Sequence, residues 1–454
     1  MNRLILCAVL LTACDDDDVL ATRAEMLDPQ ACAECHPNHY DEWKSSMHAY
    51  AAEDPVFRAM NQRAQDEADL GGFCVNCHAP MAVIEGATVD GTNLDEVPEP
   101  LQGITCYFCH QVIDVPGPFH NNPLVLANDN IMRGGLGALG PPVDNGFHGM
   151  QYSQLHDRRS RRSADLCGAC HDIVLPNEVE LERTFSEWNT TVFASDNPIQ
   201  RLTCGQCHMK GDIPGTVADF EDVPLRFPHE HTWPGIDVAI TDWPGKQMQL
   251  EQISRELDPS LNPKLCVTPN DGGTIEYKLD NVGGGHFFPT GAAQDRRAWA
   301  EVVAYDSADA VIFETGVVGD TQPVAEAAKT DTDLWQMRDF VFGAGGEDVH
   351  MFWEVETIDS DELLAPVVTL DVTDPRFNHS TSKFFLLQGA AADRVTAVVY
   401  IRPIGLEILD ELIDSGHLDP SLRDASVTHT IEGTRLEWTM AEVGFGCVCA
   451  LGPC

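Results

Sequence analysis

Cys32-Ala33-Glu34-Cys35-His36 is the first of five copies of the pattern Cys-x-x-Cys-His in this 454-residue chain. Two thiols at this spacing can form thioethers with the two vinyl groups of one haem, and the next residue places an imidazole beneath the iron. The sequence therefore predicts five covalently attached haems c, each containing iron. The predicted thioether cysteines and proximal iron ligands are Cys32, Cys35 and His36; Cys74, Cys77 and His78; Cys106, Cys109 and His110; Cys167, Cys170 and His171; and Cys204, Cys207 and His208.

Other uses of paired cysteines explain this pattern less well. Zinc can bind Cys-x-x-Cys pairs, but it does not require a histidine directly after each of five pairs. A thioredoxin-type redox pair would occur once, near a strand–helix junction. The five copies lie between Cys32 and His208, which leaves about 35 residues for each haem. Such thin segments cannot build an ordinary core, so we expect closely packed haems that supply much of the buried apolar volume.

Further histidines in this region can occupy the second, distal position on the irons. That position decides whether an iron is closed or can bind a substrate. The candidate distal ligands are His48, His120, His148, His156, His229 and His231, with one of the last two expected to bind. We expect His39 to be a solvent-exposed neighbour of the first copy. Because histidines outnumber irons, the sequence favours six-coordinate His/His haems of low potential.

The stretch Cys32-x-x-Cys35-His36-x-x-x-Tyr40-x-x-Trp43-x-x-Ser46-x-His48-Ala49 resembles the opening motif of c-554-like multihaem cytochromes. This superfamily includes the nitrifier tetrahaem cytochromes and hydroxylamine-oxidoreductase-like enzymes. The resemblance covers residues 30–235 and implies a mostly helical domain with stacked haems, in which His48 is a distal ligand. The chain departs from the tetrahaem type in having five motifs. It also lacks the Cys-x-x-Cys-Lys motif of the related nitrite reductases, which weakens an enzymatic interpretation.

The N-terminus predicts export. Arg3 precedes a short apolar run at residues 4–13, which is too short to span a bilayer. The run ends in Leu11-Thr12-Ala13-Cys14, which looks like a lipobox and predicts lipidation of Cys14; a plain secretory signal is the alternative. We therefore expect a signal peptide at residues 1–13 and an acidic tether at 14–30. The product would be a bacterial lipoprotein in the periplasm, at the outer membrane or on the cell surface.

The remaining chain predicts a multidomain protein, with a mostly helical and irregular haem domain at residues 31–235 and a connecting segment at 236–265. Residues 266–454 alternate apolar and polar side chains between turn residues, which predicts a β-sandwich-like domain with a Cys-rich tail. Expected strands are 274–279, 298–305, 311–314, 349–356 and 395–401. A helix is expected at 406–414, ended by Gly416.

The second half also contains a glycine-rich segment, Gly285-His286-Phe287-Phe288-Pro289-Thr290-Gly291. It looks like a Gly-His-x-Phe-Pro-Thr-Gly signature of β-domains attached to bacterial multihaem cytochromes. His286 could reach a haem across the domain interface, although a hydrogen-bonded histidine in a turn is the favoured interpretation.

Four cysteines outside the motifs of the mature chain, Cys266, Cys447, Cys449 and Cys454, predict two disulfides. Cys447 and Cys449 lie too close for an easy bridge, so each should pair with Cys266 or Cys454. Zinc binding by these thiols is the minority alternative.

Charge and motifs together favour an electron carrier. The formal net charge is -44, which disfavours nucleic acid as a partner and favours basic patches on redox proteins. One alternative is a multihaem oxidoreductase acting on hydroxylamine or another small nitrogen compound at one five-coordinate haem. Another is a homo-oligomeric, conductive cytochrome filament.

Overall fold

The computed structural model describes residues 21–136, 146–211, 213–270, 272–389, 391–451 and 454. The predicted signal peptide, Cys14 and the first residues of the tether lie outside these ranges. The motif-bearing part consists of short helices, several of which begin with proline at the first turn, where its missing N–H costs nothing. They are Arg23–Leu27 (α1), Pro29–Cys32 (α2), Pro37–Ser45 (α3), Met47–Tyr50 (α4), Pro55–Ala68 (α5), Val75–His78 (α6), Pro80–Ile84 (α7), Cys106–His110 (α8), Ser163–Gly168 (α9), Thr184–Asn189 (α10), Cys204–His208 (α11) and Lys246–Leu257 (α12).

Short strand pairs supplement these helices and hold the loops between the motifs. β1 and β2 are antiparallel, β3 and β4 are parallel, and β5 and β6 are antiparallel. Their bounds are Val112–Asp114 (β1), Val125–Leu126 (β2), Ile131–Gly134 (β3), Gly149–Tyr152 (β4), Ile173–Val174 (β5) and Glu180–Glu182 (β6). Only small apolar clusters lie in this region, in agreement with the expectation that side chains alone build no large core here.

The second half is β-rich. Its strands are Asn262–Val267 (β7), Thr274–Asp280 (β8), Arg297–Tyr305 (β9), Val311–Thr315 (β10), Trp335–Met337 (β11), Phe340–Phe342 (β12), Thr357–Asp359 (β13), Thr381–Leu386 (β14), Arg394–Arg402 (β15), His429–Thr439 (β16) and Gly446–Cys449 (β17). One sheet has the order β10-β9-β15-β16, with β11 also paired to β9, and the other has the order β14-β8-β7-β17. Both sheets contribute to one large core that includes Tyr277, Trp335 and Trp438.

Sequence periodicity predicted the strands β8, β9, β10 and β15 to within one residue at each end, but not the other strands described in this half. The described α-helices that accompany these strands are Val324–Ala327 (α13) and Leu406–Asp414 (α14). Helix α14 has the expected bounds, and Gly416 follows it with φ +79°, a left-handed conformation suited to glycine. The strand predicted at 349–356 is wrong. This segment instead forms the 3₁₀ helix Phe352–Glu354. Met351 and Val355, which flank the helix and lie one helical turn apart, are buried. The first strand of the β-rich part begins at Asn262, inside the predicted connecting segment.

The two halves pack directly against each other. Helix α5 contacts α14 through an apolar cluster that includes Ala59, Leu409 and Leu412. At its edge, Arg63 donates to Glu411 over 2.9 Å. This packing fixes the β-rich part beside the motifs, so its loops can contribute to sites in the first half.

The four cysteines outside the motifs form two bridges, Cys266–Cys447 and Cys449–Cys454. The first joins the neighbouring strands β7 and β17, where the two residues lie directly opposite each other. Among the helices of the described ranges, none is long and apolar enough to cross a membrane.

Candidate haem-binding sites

Each Cys-x-x-Cys-His copy folds into about one helical turn, which places its cysteines and histidine on neighbouring positions of a tight coil. In the first copy, His36 donates its backbone N–H to the carbonyl of Cys32 over 2.8 Å. The fourth copy repeats this bond from His171 to Cys167 over 3.0 Å. The ten motif cysteines are free thiols, whereas the other four described cysteines are bridged. The motif thiols thus remain available for thioether attachment.

The proximal imidazoles are oriented by backbone carbonyls. Nδ1 of His36 lies 2.7 Å from the carbonyl oxygen of Val217, and Nδ1 of His208 lies 2.9 Å from that of Pro234. His110 makes the same kind of contact with Arg133. An Nδ1–H bond to a carbonyl leaves Nε2 free as a metal ligand and fixes the plane of the ring.

Four proximal imidazoles each face a second imidazole at nearly the same separation. The ring centroids lie 6.2 Å apart for His36 and His148, 6.2 Å for His48 and His171, 6.4 Å for His110 and His231, and 6.4 Å for His208 and His286. His39 also lies 6.3 Å from His36, so two imidazoles face the first motif. A metal–nitrogen bond to imidazole is about 2 Å long, and the ring centre lies about 1.1 Å beyond the nitrogen. Two imidazoles on opposite sides of one iron should therefore have centroids about 6.3 Å apart. The observed pairs therefore fit a haem iron between the two rings.

Burial supports this fit. Desolvation lowers the pKa of His48 to about 3 and that of His286 to about 4. Both rings are therefore held in the neutral form, which is the form that binds a metal. Nδ1 of His48 is buried and has no hydrogen-bond partner in the described part of the chain. A buried imidazole without a compensating bond is costly in a folded chain, which points to a group beside it.

The second copy is different, because His78 makes no ring contact with another imidazole among the described residues. The ring of Phe57 stacks on His78 at 3.9 Å with an interplanar angle of 3°. The predicted candidates outside the four pairs are His120, His156 and His229, and Nδ1 of His120 is buried without a hydrogen-bond partner among the described residues. Its loop is held between copies two and four, since the Asn122 N–H donates to Ala169 over 2.6 Å and the Asn122 side chain donates to Asn76.

Three further predicted or neighbouring histidines have other contacts. Nε2 of His156 lies 2.7 Å from the carbonyl oxygen of Cys109, although its ring centroid is 5.5 Å from that of His110. The carbonyl of His229 accepts from Nδ1 of His231 over 3.0 Å, so it orients that ring. His39 is half-buried rather than solvent-exposed, because it packs against His231 with a centroid distance of 4.5 Å.

A carboxylate that sequence reasoning did not identify holds this histidine group together. Oε2 of Glu42 lies 3.2 Å from Nδ1 of His39 and accepts the backbone N–H of His231 over 2.9 Å. Despite the opposing effect of burial, hydrogen bonds from His231 and His39 lower the pKa of Glu42 to about 2. No spacing in the sequence links Glu42 to His231, so this contact had no local signal.

His286 reaches the motif-bearing half because its turn is held from both sides. Within the turn, Asn281 donates to the carbonyl of His286 over 2.8 Å and accepts from the Gly284 N–H over 3.1 Å. A Cβ at Gly284 would lie 2.6 Å from the Asn281 side chain, so the close turn requires glycine here.

From the other side, Oε2 of Glu187 on α10 accepts the Phe287 N–H over 3.1 Å and the Thr290 hydroxyl over 2.6 Å. Burial raises the pKa of Glu187 to about 7. Glu187 therefore connects α10 to the segment that directly follows His286. Sequence reasoning missed Glu187, which lies in a helix without any metal-binding pattern.

Contacts between motif thiols show which copies are neighbours. A hydrogen bond to Cys106 lowers the pKa of Cys32, and one to Cys204 lowers the pKa of Cys167. A hydrogen bond to Cys77 raises the pKa of Cys170. Copy one is thus adjacent to copy three, copy four to copy five, and copy two to copy four. Copies three and four are also near each other, because burial and then the charge of Cys167 raise the pKa of Cys109 to about 12.

The chain resembles known proteins over part of its sequence and in its fold. The family described as "Cytochrome c554 and c-prime" matches residues 31–111. A penta-heme cytochrome c552 from Thermochromatium tepidum has a similar structure, with a TM-score of 0.61 and 19% sequence identity. The match covers 91% of this chain and 98% of that chain, so the likeness includes the β-rich half. No curated protein sequence matches the chain.

Proposed function

We propose that this multihaem c-type cytochrome carries electrons along five covalently attached haems. The observation that carries the proposal is the set of four imidazole pairs with centroids 6.2–6.4 Å apart. The five Cys-x-x-Cys-His copies and the likeness to a penta-heme cytochrome support the same count. Bound haem supplies one-electron redox chemistry at iron, and two histidine ligands close that iron to substrates.

The chain's own residues would attach, orient and shield these groups. His36, His110, His171 and His208 would be proximal ligands, with His148, His231, His48 and His286 as their respective distal partners. Backbone carbonyls such as that of Val217 would hold the imidazole planes. His78 would bind the remaining haem, with His120 as its candidate distal ligand.

The thiol contacts support a branched order of electron transfer. Copies one, three, four and five form a continuous series, and copy two branches from copy four through Cys77 and Cys170. Because haem is attached at these cysteines, neighbouring thiols place neighbouring porphyrin edges close together. Short separations between redox groups are what allow electrons to pass from one end of such a series to the other.

One observation favours a second candidate function at the second copy. His78 faces Phe57 and makes no ring contact with another imidazole within the described part of the chain. If His120 does not close this iron, the site could bind a small molecule, as an oxidoreductase of small nitrogen compounds would require. The other four irons would then deliver or remove the electrons.

Export and a lipid anchor complete the proposal. The lipobox ending at Cys14 supports attachment of the protein to a membrane outside the cytoplasm, and the net charge of -44 supports basic redox proteins as partners. In this location, the two disulfides are compatible with an oxidising environment.

A haem assay combined with carbon monoxide titration tests the function. Pyridine haemochrome analysis should give five haems per chain, and the dithionite-reduced protein should bind no carbon monoxide if all irons are closed. If the wild type binds one equivalent of carbon monoxide, and the variants His48→Ala and His286→Ala still bind that equivalent, the open iron is assigned to His78. This result would favour the enzyme. Fewer than five haems, or binding at several irons, would refute the proposed carrier.

A further inference from the structure

The segment 213–227 lies directly against the first haem-attachment motif. Gly215 and Arg226 exchange backbone hydrogen bonds of 2.9 and 2.8 Å, which close the segment into a loop. Inside the loop, the carbonyl of Val217 contacts Nδ1 of His36 at 2.7 Å, and the Asp219 N–H donates to Cys35 over 2.7 Å. The position of this loop is therefore set by the motif it covers.

The outer surface of the loop is apolar, with an acidic edge. Ile213, Leu225 and Phe227 are 78%, 75% and 54% exposed, and Phe220 is 44% exposed. The neighbouring side chains of Asp219, Glu221 and Asp222 are also exposed. Apolar side chains grouped in this way, with charged residues beside them, are typical of protein interaction surfaces.

The first motif also stands at one end of the series of motifs. The Cys32 thiol contacts Cys106 of the third copy. At the opposite end, the fifth copy is covered by the β-rich half, which supplies His286 to face His208. An electron leaving or entering at the first motif would cross the loop 213–227 and its surface.

We propose that the loop 213–227 is the docking surface for a basic electron-transfer protein that exchanges electrons with the haem at Cys32 and Cys35. This inference rests on the proposed function and names the partner's chemistry. Three carboxylates on the loop and a chain charge of -44 attract a partner with lysines around its exposed redox group. The apolar side chains complete a small contact that can dissociate after each transfer.

A second copy of the same chain fits this surface poorly. Two copies would bring the same carboxylates together, and both carry a formal charge of -44. Such like charges repel at low and moderate salt. The charge of the loop thus selects a positively charged partner over self-association.

The experiment measures electron transfer from the reduced, purified full-length protein to an oxidised basic monohaem cytochrome c by stopped-flow absorbance. One variant combines Asp219→Asn, Glu221→Gln and Asp222→Asn, which keeps the backbone contact to Cys35. Another combines Leu225→Ser and Phe227→Ser. Two control variants carry matched changes at exposed positions of the β-rich half. The acidic control combines Glu356→Gln, Asp361→Asn and Glu362→Gln, and the apolar control combines Leu370→Ser and Val372→Ser.

The acidic-loop variant should lower the second-order rate constant about tenfold at low ionic strength, and the difference should vanish at high salt. The apolar variant should slow transfer at both salt concentrations, whereas the controls should match the wild type. Equal rates for the loop variants and their controls would overturn the docking surface while leaving the carrier function intact. Failure of dithionite to reduce five haems would instead refute the carrier function itself.

Discussion

The imidazole of His286 lies 6.4 Å from that of His208, centroid to centroid, with an angle of 14° between the two rings. The first residue belongs to the β-rich half and the second to the fifth Cys-x-x-Cys-His copy. The separation is the one expected for two ligands of one iron, so we propose that the β-rich half supplies a ligand to a haem site of the other half. Nδ1 of His286 also lies 2.9 Å from the carbonyl oxygen of Phe287, as expected for a hydrogen-bonded histidine in a turn, and this contact leaves Nε2 available to a metal.

Replacing His286 by Ala is expected to open one iron. The variant should gain a high-spin absorption component and bind one more equivalent of carbon monoxide than the wild type, because His208 would remain as the single protein ligand. His417→Ala is the matched control, since His417 contacts Asp66 and Ser415 far from any motif. An unchanged carbon monoxide stoichiometry in His286→Ala would remove this residue from the ligand set.

Replacing His48 by Ala is expected to open a different iron, that of His171. The prediction follows from the 6.2 Å centroid distance and from the burial of His48. Carbon monoxide titration should give one extra equivalent for His48→Ala and two for the double variant with His286→Ala, because the two irons are separate. If His48→Ala retains the wild-type spectrum, the pairing with His171 is wrong.

Glu187 is expected to act as a positioning residue for His286. Glu187→Ala should partly open the same iron and destabilise the fold by about 0.5–1.5 kcal/mol for each lost hydrogen bond. Glu187→Gln should largely restore six-coordination, because its amide oxygen can still accept from Phe287 and Thr290. Electron paramagnetic resonance would show high-spin iron in Glu187→Ala. A purely structural role predicts lower stability with no high-spin signal.

The two disulfides should contribute unequally to stability. Cys266–Cys447 closes a sequence separation of 181 residues and Cys449–Cys454 one of 5. Loop-closure entropy predicts losses in the free energy of unfolding of about 5 and about 2 kcal/mol on replacing each pair by alanine. Urea unfolding followed by far-ultraviolet circular dichroism measures both. Equal losses for the two pairs would contradict the entropic argument.

Cys14 is expected to be the lipidated first residue of the mature chain. Cys14→Ala should leave the protein unprocessed or release it from membranes into the soluble fraction, since the acyl chains supply the anchor. Fractionation with mass spectrometry of the N-terminal peptide checks this, and Cys7→Ala is the control because residue 7 would be removed with the signal peptide. Membrane association that survives in Cys14→Ala would exclude the lipid anchor.

The sequence alone determined the attachment chemistry, because each Cys-x-x-Cys-His copy is local. Its cysteines and proximal histidine lie within five consecutive positions and one helical turn, so no tertiary contact is needed to align them. Periodicity likewise identified α14 and the long strands β9 and β15, whose buried faces repeat within each element. It failed at 349–356, where a 3₁₀ turn buries Met351 and Val355 instead of a strand.

Only the tertiary structure decided which histidine faces which motif. His148 meets His36, and His286 meets His208, across long loops and a domain interface whose closure depends on the packing of the whole chain. Their neighbours in sequence are glycine-rich and carry no periodic signal, so no pattern in the sequence assigned either of them to a motif. Glu187 and Glu42 were missed for the same reason: a carboxylate becomes a positioning group only when folding brings a distant N–H or imidazole to it.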